Sequence, residues 1–335
     1  MSKRILLTGG AGFIGSHFVE AVLKTTDFDL TVIDRLTYAG NLNRWVDMDC
    51  WQKEGKRVKF VYHDFRSPLQ DEVFTLANNP HPDYIIHMGA ESHVDRSITD
   101  PLIFAESNVI GTINMLEFAK LAQPEKFIYV STDEVYGAVQ GMELHKEGEP
   151  YNPSNPYSAS KAAAESFCLA FHKSYGLPVL ISNTMNNFGE RQSPEKFVPM
   201  TIKHILINHP VTLHCKKTEQ GKLLDVSSRC WLHARDHASG LLFLLEHGNP
   251  GEKYNIVGER KTVTEVADFI SEIMGIGYCG VYEDFHSFRP GHDMHYGQDG
   301  SKMAAMGWLP PCGYVESMTN TVKWMVENKH WLGLE

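Results

Sequence analysis

Two carboxylates stand side by side at the end of an apolar run. Asp133 and Glu134 belong to the heptapeptide STDEVYG, which follows the apolar residues 127–130. An adjacent acid and base suit the elimination of water, because one group protonates the departing hydroxyl while the other removes a proton. In a desolvated pocket the pKa values of neighbouring carboxyls are driven apart, so that one stays neutral and the other charged. The plain alternative is a charge pair in a loop or at the start of a helix.

A tyrosine and a lysine form a second candidate pair. Tyr157 and Lys161 lie in YSASK, and residues four apart share one face of a helix, so the ammonium can sit near the phenol. A nearby cation and a bound nicotinamide cation would lower the pKa of the phenol from about 10. Such a tyrosine takes a proton from a hydroxyl while hydride leaves the same carbon, and the lysine can also hold the nicotinamide ribose. Y-x-x-x-K is common by chance, so its weight depends on a nucleotide-binding turn elsewhere in the chain.

A glycine-rich turn supplies that context. Gly9, Gly12 and Gly15 give G-x-x-G-x-x-G directly after a predicted strand and at the start of a predicted helix. Because glycine lacks Cβ, the backbone can turn sharply and approach a pyrophosphate at the helix N-terminus. Asp34 ends the next strand, where its carboxylate can accept both hydroxyls of an adenosine ribose and would repel a 2′-phosphate. The motif therefore favours NAD over NADP, although the neighbouring Arg35 leaves NADP open.

These residues must be positioned by the strands and helices around them. Short apolar runs predict strands at 4–8, 29–33, 58–62, 84–88, 127–130 and 178–182, and helical patterns fall at 16–24, 101–121 and 157–175. This alternation predicts an α/β fold, a Rossmann-type doubly wound parallel sheet covered on both faces. Asp64 ends the third strand, where it either reaches adenine or is a solvated acid.

The pattern changes after about residue 190. Predicted helices at 196–207, 236–247, 263–274 and 315–327 mix there with short strands such as 211–214. We therefore expect a smaller α/β domain over residues 191–335, packed on a Rossmann domain over residues 1–190 that carries the catalytic residues. The boundary is soft, because the sixth strand belongs to the first sheet.

Composition narrows the possible partners. The net charge of −10 over 335 residues argues against nucleic acid, which needs a basic face, but it allows a small anionic ligand. No run approaches the roughly 20 apolar residues of a membrane span. The six cysteines lack zinc-ligand spacing and the 17 histidines are dispersed, so no metal site is expected. Scattered thiols and an N-terminus without a secretory pattern predict a cytoplasmic protein.

The combination of motifs resembles the extended short-chain dehydrogenase/reductase superfamily over nearly the whole chain. Within it, the sequence is most similar to the NDP-glucose 4,6-dehydratases. The matching stretches are TGGAGFIGS (8–16), DRLTYAGN (34–41), AESHVDRSI (90–98), STDEVYG (131–137), NPYSASKAAAE (155–165), PEK (194–196) and RPGHD (289–293).

The resemblance implies a lyase that uses NAD as a catalyst. Tyr157 would take the C4 hydroxyl proton of an NDP-glucose, most readily dTDP-glucose, while NAD⁺ takes the C4 hydride. Glu134 would then remove the C5 proton and Asp133 would protonate the departing C6 hydroxyl. Return of the hydride to C6 and reprotonation of C5 would give NDP-4-keto-6-deoxyglucose. Thr132 is implied to bond the sugar near C4.

The resemblance also implies the binding residues. The cofactor would be held by Gly9, Gly12, Phe13, Ile14, Gly15, Asp34, Asp64, Phe65, Tyr157 and Lys161. The sugar nucleotide would be held mainly by the second domain and by one residue just before it. The residues implied are Asn183, Lys196, Arg229, Asn255, Arg289 and His292. Arginine can grip phosphate with two parallel hydrogen bonds, which lysine cannot.

Several departures from the family pattern keep alternatives open. Cys230 stands where an Asp is usual, residues 214–228 form a longer segment, and NTMNNFGE (183–190) replaces NCSNNYGP. These changes leave room for a UDP-sugar or a sugar altered at C2 or C3. A sugar-nucleotide 4-epimerase would share the fold, NAD, Tyr157 and Lys161, but needs no acid for C6. A non-catalytic nucleotide-binding protein would be expected to lack one of the four reactive groups.

Two apolar helices bear on the oligomeric state. Residues 101–121 and 157–175 carry more hydrophobic surface than one sheet face needs. Relatives pair these helices into a four-helix interface, so a homodimer is expected, with simple packing on the sheet as the alternative.

Overall fold

A parallel sheet of seven strands forms the centre of the protein. The computed structural model describes residues 2–69, 81–141, 143–284 and 293–334. The strands of the protein are β1 (Arg4–Thr8), β2 (Asp29–Asp34), β3 (Val58–Tyr62), β4 (Tyr84–His87), β5 (Lys126–Thr132), β6 (Val179–Thr184), β7 (Asn186–Phe188), β8 (Val211–Lys217), β9 (Leu223–Val226), β10 (Ser228–His233), β11 (Lys253–Ile256), β12 (Glu259–Thr262) and β13 (Gly280–Asp284). The order across the central sheet is β11-β6-β5-β4-β1-β2-β3, and neighbouring strands run parallel.

Helices cover both faces of the sheet. Successive residues of a strand point to opposite faces, so Ile5 and Leu7 pack towards one layer of helices while Leu6 packs towards the other. The helices are α1 (Phe13–Thr25), α2 (Asn43–Val46), α3 (Trp51–Glu54), α4 (Val94–Thr99), α5 (Pro101–Phe104), α6 (Gly111–Ala122), α7 (Pro156–Tyr175), α8 (Phe197–Leu206), α9 (Ala234–His247), α10 (Val263–Met274), α11 (Ser301–Ala305) and α12 (Tyr314–Glu327). This architecture confirms the predicted α/β Rossmann-type class.

One predicted helix is interrupted. The expected helix at 101–121 consists of α5, a π-helical turn at Ala105–Ile110 and α6. A π-turn adds a residue to the helical turn and displaces its hydrogen bonds. The Thr112 hydroxyl donates to the Asn108 carbonyl at 2.6 Å, and apolar periodicity did not indicate the turn.

Strands from before and after residue 190 pair with one another in two of the sheets. The later segment β11 completes the large sheet beside β6, whereas the earlier segment β7 pairs with β10 in a three-stranded sheet. A second small sheet, β13-β8-β9, and helices α8, α10 and α12 enclose a separate core. β11 was not predicted because its sequence, KYNI, is short and half polar. The division into two domains stays a prediction.

None of the helices in the described ranges combines the length and apolar character that crossing a membrane requires.

Candidate active site

A cavity of about 500 Å³ opens at the carboxyl ends of the parallel strands. Its wall includes the glycine turn, Asp34 at the end of β2, Thr132 at the end of β5, and residues of the segment before α8. Ligands of open α/β sheets bind at this edge, because the loops after the strands diverge there. The fold therefore gathers candidates that are far apart in sequence.

The glycine turn fits a close approach of phosphate to the backbone. Gly9 has φ of +74°, and a Cβ there would lie 2.7 Å from Gly89 Cα. A Cβ on Gly15 would lie 2.2 Å from the Gly9 carbonyl oxygen. Gly12 precedes α1 without a side-chain cap and lines the cavity with Phe13. The free N–H groups of a long helix thus face the cavity, as a pyrophosphate requires. Ile14 also lines the wall.

Asp34 and Arg35 have different surroundings. The Asp34 carboxylate lines the cavity and accepts hydrogen bonds from the Ala11 N–H at 3.1 Å and the Leu36 N–H at 2.8 Å. Arg35 is paired with Asp64 at 3.2 Å and Glu91 at 2.9 Å. Both residues line the cavity, but the arginine that left NADP open is engaged there by two acids.

Asp64 and Phe65 were both predicted to bind the cofactor, but only Phe65 lines the cavity. Asp64 is not among the residues of the cavity wall. The Asp64 carboxylate accepts from Arg66 at 2.7 Å as well as from Arg35. Burial alone would raise the pKa of Asp64, but the hydrogen bonds from Arg66 hold it at about 2. The Asp64 carboxylate is thus engaged by two arginines, and its contact with adenine stays a prediction.

The acid and base lie on a 3₁₀ turn at the end of β5. Thr132 donates to Asp133 Oδ1 at 3.2 Å, and the Glu134 N–H donates to the Thr132 hydroxyl at 3.4 Å. Asp133 is 4% exposed, and its Oδ2 has no hydrogen-bond partner among the described residues. Burial, together with the charge of Glu134, raises the pKa of Asp133 to about 7. Near neutral pH the group can therefore supply a proton.

Glu134 is held through one oxygen. Its Oε2 accepts from Asn155 Nδ2 at 3.1 Å and from the Tyr296 hydroxyl at 3.5 Å. Burial raises the pKa of Glu134, and the bond from Asn155 opposes that rise by stabilising the charged form. Glu134 lines the cavity, so the carboxylate can act there as a base.

Tyr157 and Lys161 both line the cavity from the first turns of α7. Lys161 Nζ donates to the Val130 carbonyl at 2.7 Å and lies 4.3 Å from the centroid of the Tyr129 ring. Burial lowers the pKa of Lys161 to about 8. Burial and the charge of Glu134 raise the pKa of Tyr157. A hydrogen bond with Thr132 opposes this rise, and a bound nicotinamide cation would lower the pKa of Tyr157 further.

Two of the predicted substrate residues line the cavity. Lys196 and Arg229 both belong to its wall. Arg229 is 6% exposed, donates at 2.6 Å to the carbonyls of Asp293 and Met294, and lies 4.6 Å from the centroid of the Tyr296 ring. These contacts fix a buried cation beside the acid–base pair. Arg289 and His292 lie outside the described residues.

Asn183 and Asn255, which were also predicted to bind the substrate, lie outside the cavity wall and make contacts inside the fold. Asn183 is fully buried on β6, and its Nδ2 donates to the Thr132 carbonyl at 3.1 Å and to Glu165 at 2.7 Å. Asn255 is buried on β11, where its Nδ2 donates to the carbonyls of His145 and Asp299. Both amides are used inside the fold, and the substrate contacts that the resemblance implied for them stay predictions.

A different asparagine pair reaches the cavity. Asn186 and Asn187 line it, after β6 has ended at Thr184. The doubled Asn in NTMNNFGE was the available signal, but only the strand boundary shows which of its asparagines faces the cavity. Met185 lines the wall as well, whereas Phe188 and Cys230 are buried outside it.

One side-chain cluster has the residue types of a metal site. Atoms of His17, Glu190 and His233 lie within 4.8 Å of one another. The N–H of Arg235 donates to His233 Nδ1 at 3.0 Å, so the proton of the neutral ring is on Nε2, which is 3.1 Å from Glu190 Oε2. A ring nitrogen that carries a proton has no lone pair for a metal ion. The hydrogen bonds instead tie α1 and α9 to the loop after β7.

Comparison with known proteins agrees with this geometry. Residues 6–321 match the family model described as GDP-mannose 4,6 dehydratase. The chain belongs to the GDP-mannose 4,6 dehydratase family. The sequence motifs indicated a resemblance to NDP-glucose 4,6-dehydratases, and the dTDP-glucose 4,6-dehydratases among the relatives of this chain confirm it.

Three relatives show how far the similarity extends. A probable dTDP-glucose 4,6-dehydratase of Sinorhizobium fredii is 38% identical over 346 residues, covering 98% of this chain and 94% of the relative. The crystal structure of a Streptomyces venezuelae dTDP-glucose 4,6-dehydratase with NAD and TYD bound has a TM-score of 0.85 and 35% identity, with 98% of each chain covered. A UDP-glucose 4-epimerase of Thermus thermophilus in complex with NAD has a TM-score of 0.82 and 30% identity, covering 96% of this chain and 99% of that chain.

Proposed function

We propose that the chain is a hydro-lyase that converts an NDP-glucose, with dTDP-glucose as the preferred substrate, to NDP-4-keto-6-deoxyglucose with the help of NAD. One observation carries the proposal. A single cavity holds a tyrosine–lysine pair suited to alcohol oxidation and a buried carboxyl pair suited to loss of water. A 4-epimerase needs the first pair alone.

Each reactive side chain has a separate task. Tyr157 takes the proton of the C4 hydroxyl, and the 4-ketone that results acidifies the C5 proton. Glu134 removes that proton, and Asp133, protonated near neutral pH, donates to the departing C6 hydroxyl. Bound NAD supplies the hydride acceptor at C4 and the hydride donor at C6, and C5 regains a proton when the hydride returns. Thr132 fixes the Asp133 carboxyl and offers its hydroxyl to the sugar.

The binding residues divide between the cofactor and the substrate. For NAD we assign the glycine turn, Asp34 to the adenosine ribose, and Lys161 to the nicotinamide ribose. Phe13, Ile14 and Phe65 add apolar contacts from the wall. Lys196 and Arg229 are the cations assigned to the pyrophosphate of the sugar nucleotide.

The proposal extends to the assembly and the compartment. Apolar side chains are exposed along α5, the π-turn, α6 and α7, namely Leu102, Ile110, Leu121, Phe167 and Tyr175. A second copy covering them would form a homodimer. All six cysteines are free thiols, which suits a reducing, cytoplasmic setting. Sedimentation of wild type and of a Phe167→Glu variant tests the dimer, which the variant should dissociate.

The experiment that tests the function needs no added NAD. The purified protein is incubated separately with dTDP-glucose and UDP-glucose, and the products are weighed by mass spectrometry. We expect loss of one water, fastest from dTDP-glucose. An unchanged mass with a galactose product would replace the proposal by a 4-epimerase, and faster turnover of UDP-glucose would change the assigned base.

A further inference from the structure

Asn155 joins the two halves of the site. We propose that Asn155 is a positioning residue that fixes the general base Glu134 against the helix carrying Tyr157 and Lys161, an inference that rests on the proposed function. It was not among the residues implied by the resemblance, which matched the stretch 155–165 for its tyrosine and lysine.

One end of the Asn155 side chain starts α7. Its Oδ1 accepts from the Ser158 N–H at 2.9 Å, and the Asn155 N–H donates to the Ser158 hydroxyl at 3.2 Å. This reciprocal capping box satisfies donors that a helix N-terminus leaves free. Pro156 follows at the first helical position, where its missing N–H costs nothing. The cap thereby fixes the first turn, which contains Tyr157.

The other end of the same side chain holds the base. Asn155 Nδ2 donates to Glu134 Oε2 at 3.1 Å, and the asparagine is 6% exposed. Ser, Thr, Asp and Asn all cap helices through an oxygen. Of these, only Asn carries a separate donor nitrogen beside its capping oxygen. Capping would be served equally well by Ser or Asp, whereas the hydrogen bond to Glu134 uses the amide nitrogen that only Asn provides.

Holding one oxygen leaves the other available for chemistry. The described hydrogen bonds of the Glu134 carboxylate fall on Oε2, from Asn155 and from Tyr296. Glu134 borders the cavity, so Oε1 is the oxygen that can receive the C5 proton. The same amide thus orients the base and sets its distance from Tyr157, which acts on the neighbouring carbon.

The pH dependence gives a readout that a purely structural role would not change. An N–H donor favours the charged carboxylate, so its removal raises the pKa of Glu134. The base acts when charged, so the acidic limb of the elimination rate moves to higher pH. The charged or titratable groups that face Glu134 are Asp133, Tyr157, Arg229, Asp293 and Tyr296, and all of them are kept in the variants below.

Two substitutions separate capping from base support. Asn155→Ser keeps a capping oxygen but removes the amide nitrogen that donates to Glu134. Asn155→Asp keeps the oxygen and puts a like charge beside the base. For N155S we expect C4 oxidation, followed as bound NADH, within about twofold of wild type, and elimination slowed about tenfold at neutral pH. The acidic limb should move to higher pH in N155S and further in N155D.

The matched control is Ser158→Ala, which breaks the other half of the capping box without touching Glu134. It should lower the melting temperature slightly and leave the pH limb in place. A limb that moves equally in S158A, or stays in place in N155S and N155D, overturns the positioning role.

A second measurement does not depend on turnover. The Glu134 carboxyl is titrated by ¹³C NMR in glutamate-labelled protein and assigned by its loss in Glu134→Gln. Its midpoint should rise in N155S, and an unchanged midpoint would overturn the inference. A wild-type protein that releases no water from either sugar nucleotide would refute the proposed function alone, because the midpoint still tests Asn155.

Discussion

The glycine turn at residues 9–15 and the acid–base turn at residues 132–136 are held in opposite ways. The first is held largely by main chain, with the Gly12 N–H donating to the Gly9 carbonyl at 3.1 Å and close contacts that exclude Cβ atoms. The second depends on side chains from distant segments, and Tyr296 is 162 residues from Glu134. Local spacing is therefore enough to shape a cofactor turn, whereas the protonation states of a carboxyl pair depend on whatever the rest of the chain packs around it.

The largest effect is expected from breaking the first turn. Gly15→Ala places a Cβ 2.2 Å from the Gly9 oxygen, so we expect the purified protein to lose its bound NAD and all turnover. Absorbance of the cofactor released on denaturation measures this. Gly277→Ala is the matched control, because a Cβ there meets nothing within 4 Å. Normal NAD content in G15A would show that the turn tolerates the main-chain shift.

Tyr157→Phe should stop the reaction at its first step. Without the phenolic oxygen no group takes the C4 proton, and we expect a fall in C4 oxidation of about 10³-fold. The readout is bound NADH absorbance after substrate is added. Tyr175→Phe, at the exposed end of the same helix, should behave as wild type. NADH formation at the normal rate in Y157F would exclude Tyr157 as the base.

Asp133→Asn should separate C4 oxidation, which depends on the bound cofactor, from the loss of water, which depends on the carboxyl pair. Oxidation at C4 should persist while water loss slows about 10²-fold, so that bound NADH accumulates. In wild type, elimination should fall as pH rises through about 7, because Asp133 loses its proton there, and this limb should vanish in D133N. Asp29→Asn on the exposed start of β2 controls for charge. Wild-type product formation by D133N would remove the acid role.

The smallest effect is expected at Asp64. Asp64→Asn weakens the pairing with Arg35 and Arg66 by at most about 1 kcal/mol, screened by salt. The pKa of Asp64 is depressed to about 2, so its contribution is present above the unfolded pKa of about 3.9 and is lost as pH falls towards 2. We expect NAD retention within about threefold of wild type, checked by dialysis. A much larger loss would support the predicted contact between Asp64 and adenine.

Many features of the fold and of the candidate site could be predicted from the sequence. Strands β1 and β3 and helix α10 have the bounds that apolar periodicity predicted. Tyr157 and Lys161 share a helix face, and the glycine turn joins β1 to α1, because both features depend on residues only a few positions apart. The adjacent carboxylates also follow the predicted strand directly.

The remaining features were decided by tertiary structure. Asn183 and Asn186 occur in one short segment, and only the end of β6 shows that Asn183 turns inward while Asn186 reaches the cavity. The link from Asn155 to Glu134 depends on a contact across 21 residues. The short strand β11 joins the large sheet through its parallel pairing with β6.

The sequence by itself determined the cofactor turn, the reactive side-chain types and the class of fold, since these follow from short-range periodicity and from glycine sterics. Tertiary structure alone decided which asparagines face the cavity and which carboxyl keeps its proton. The pKa of a carboxyl depends on how much water its neighbours exclude and which charges they bring, and those neighbours meet only when the chain is folded.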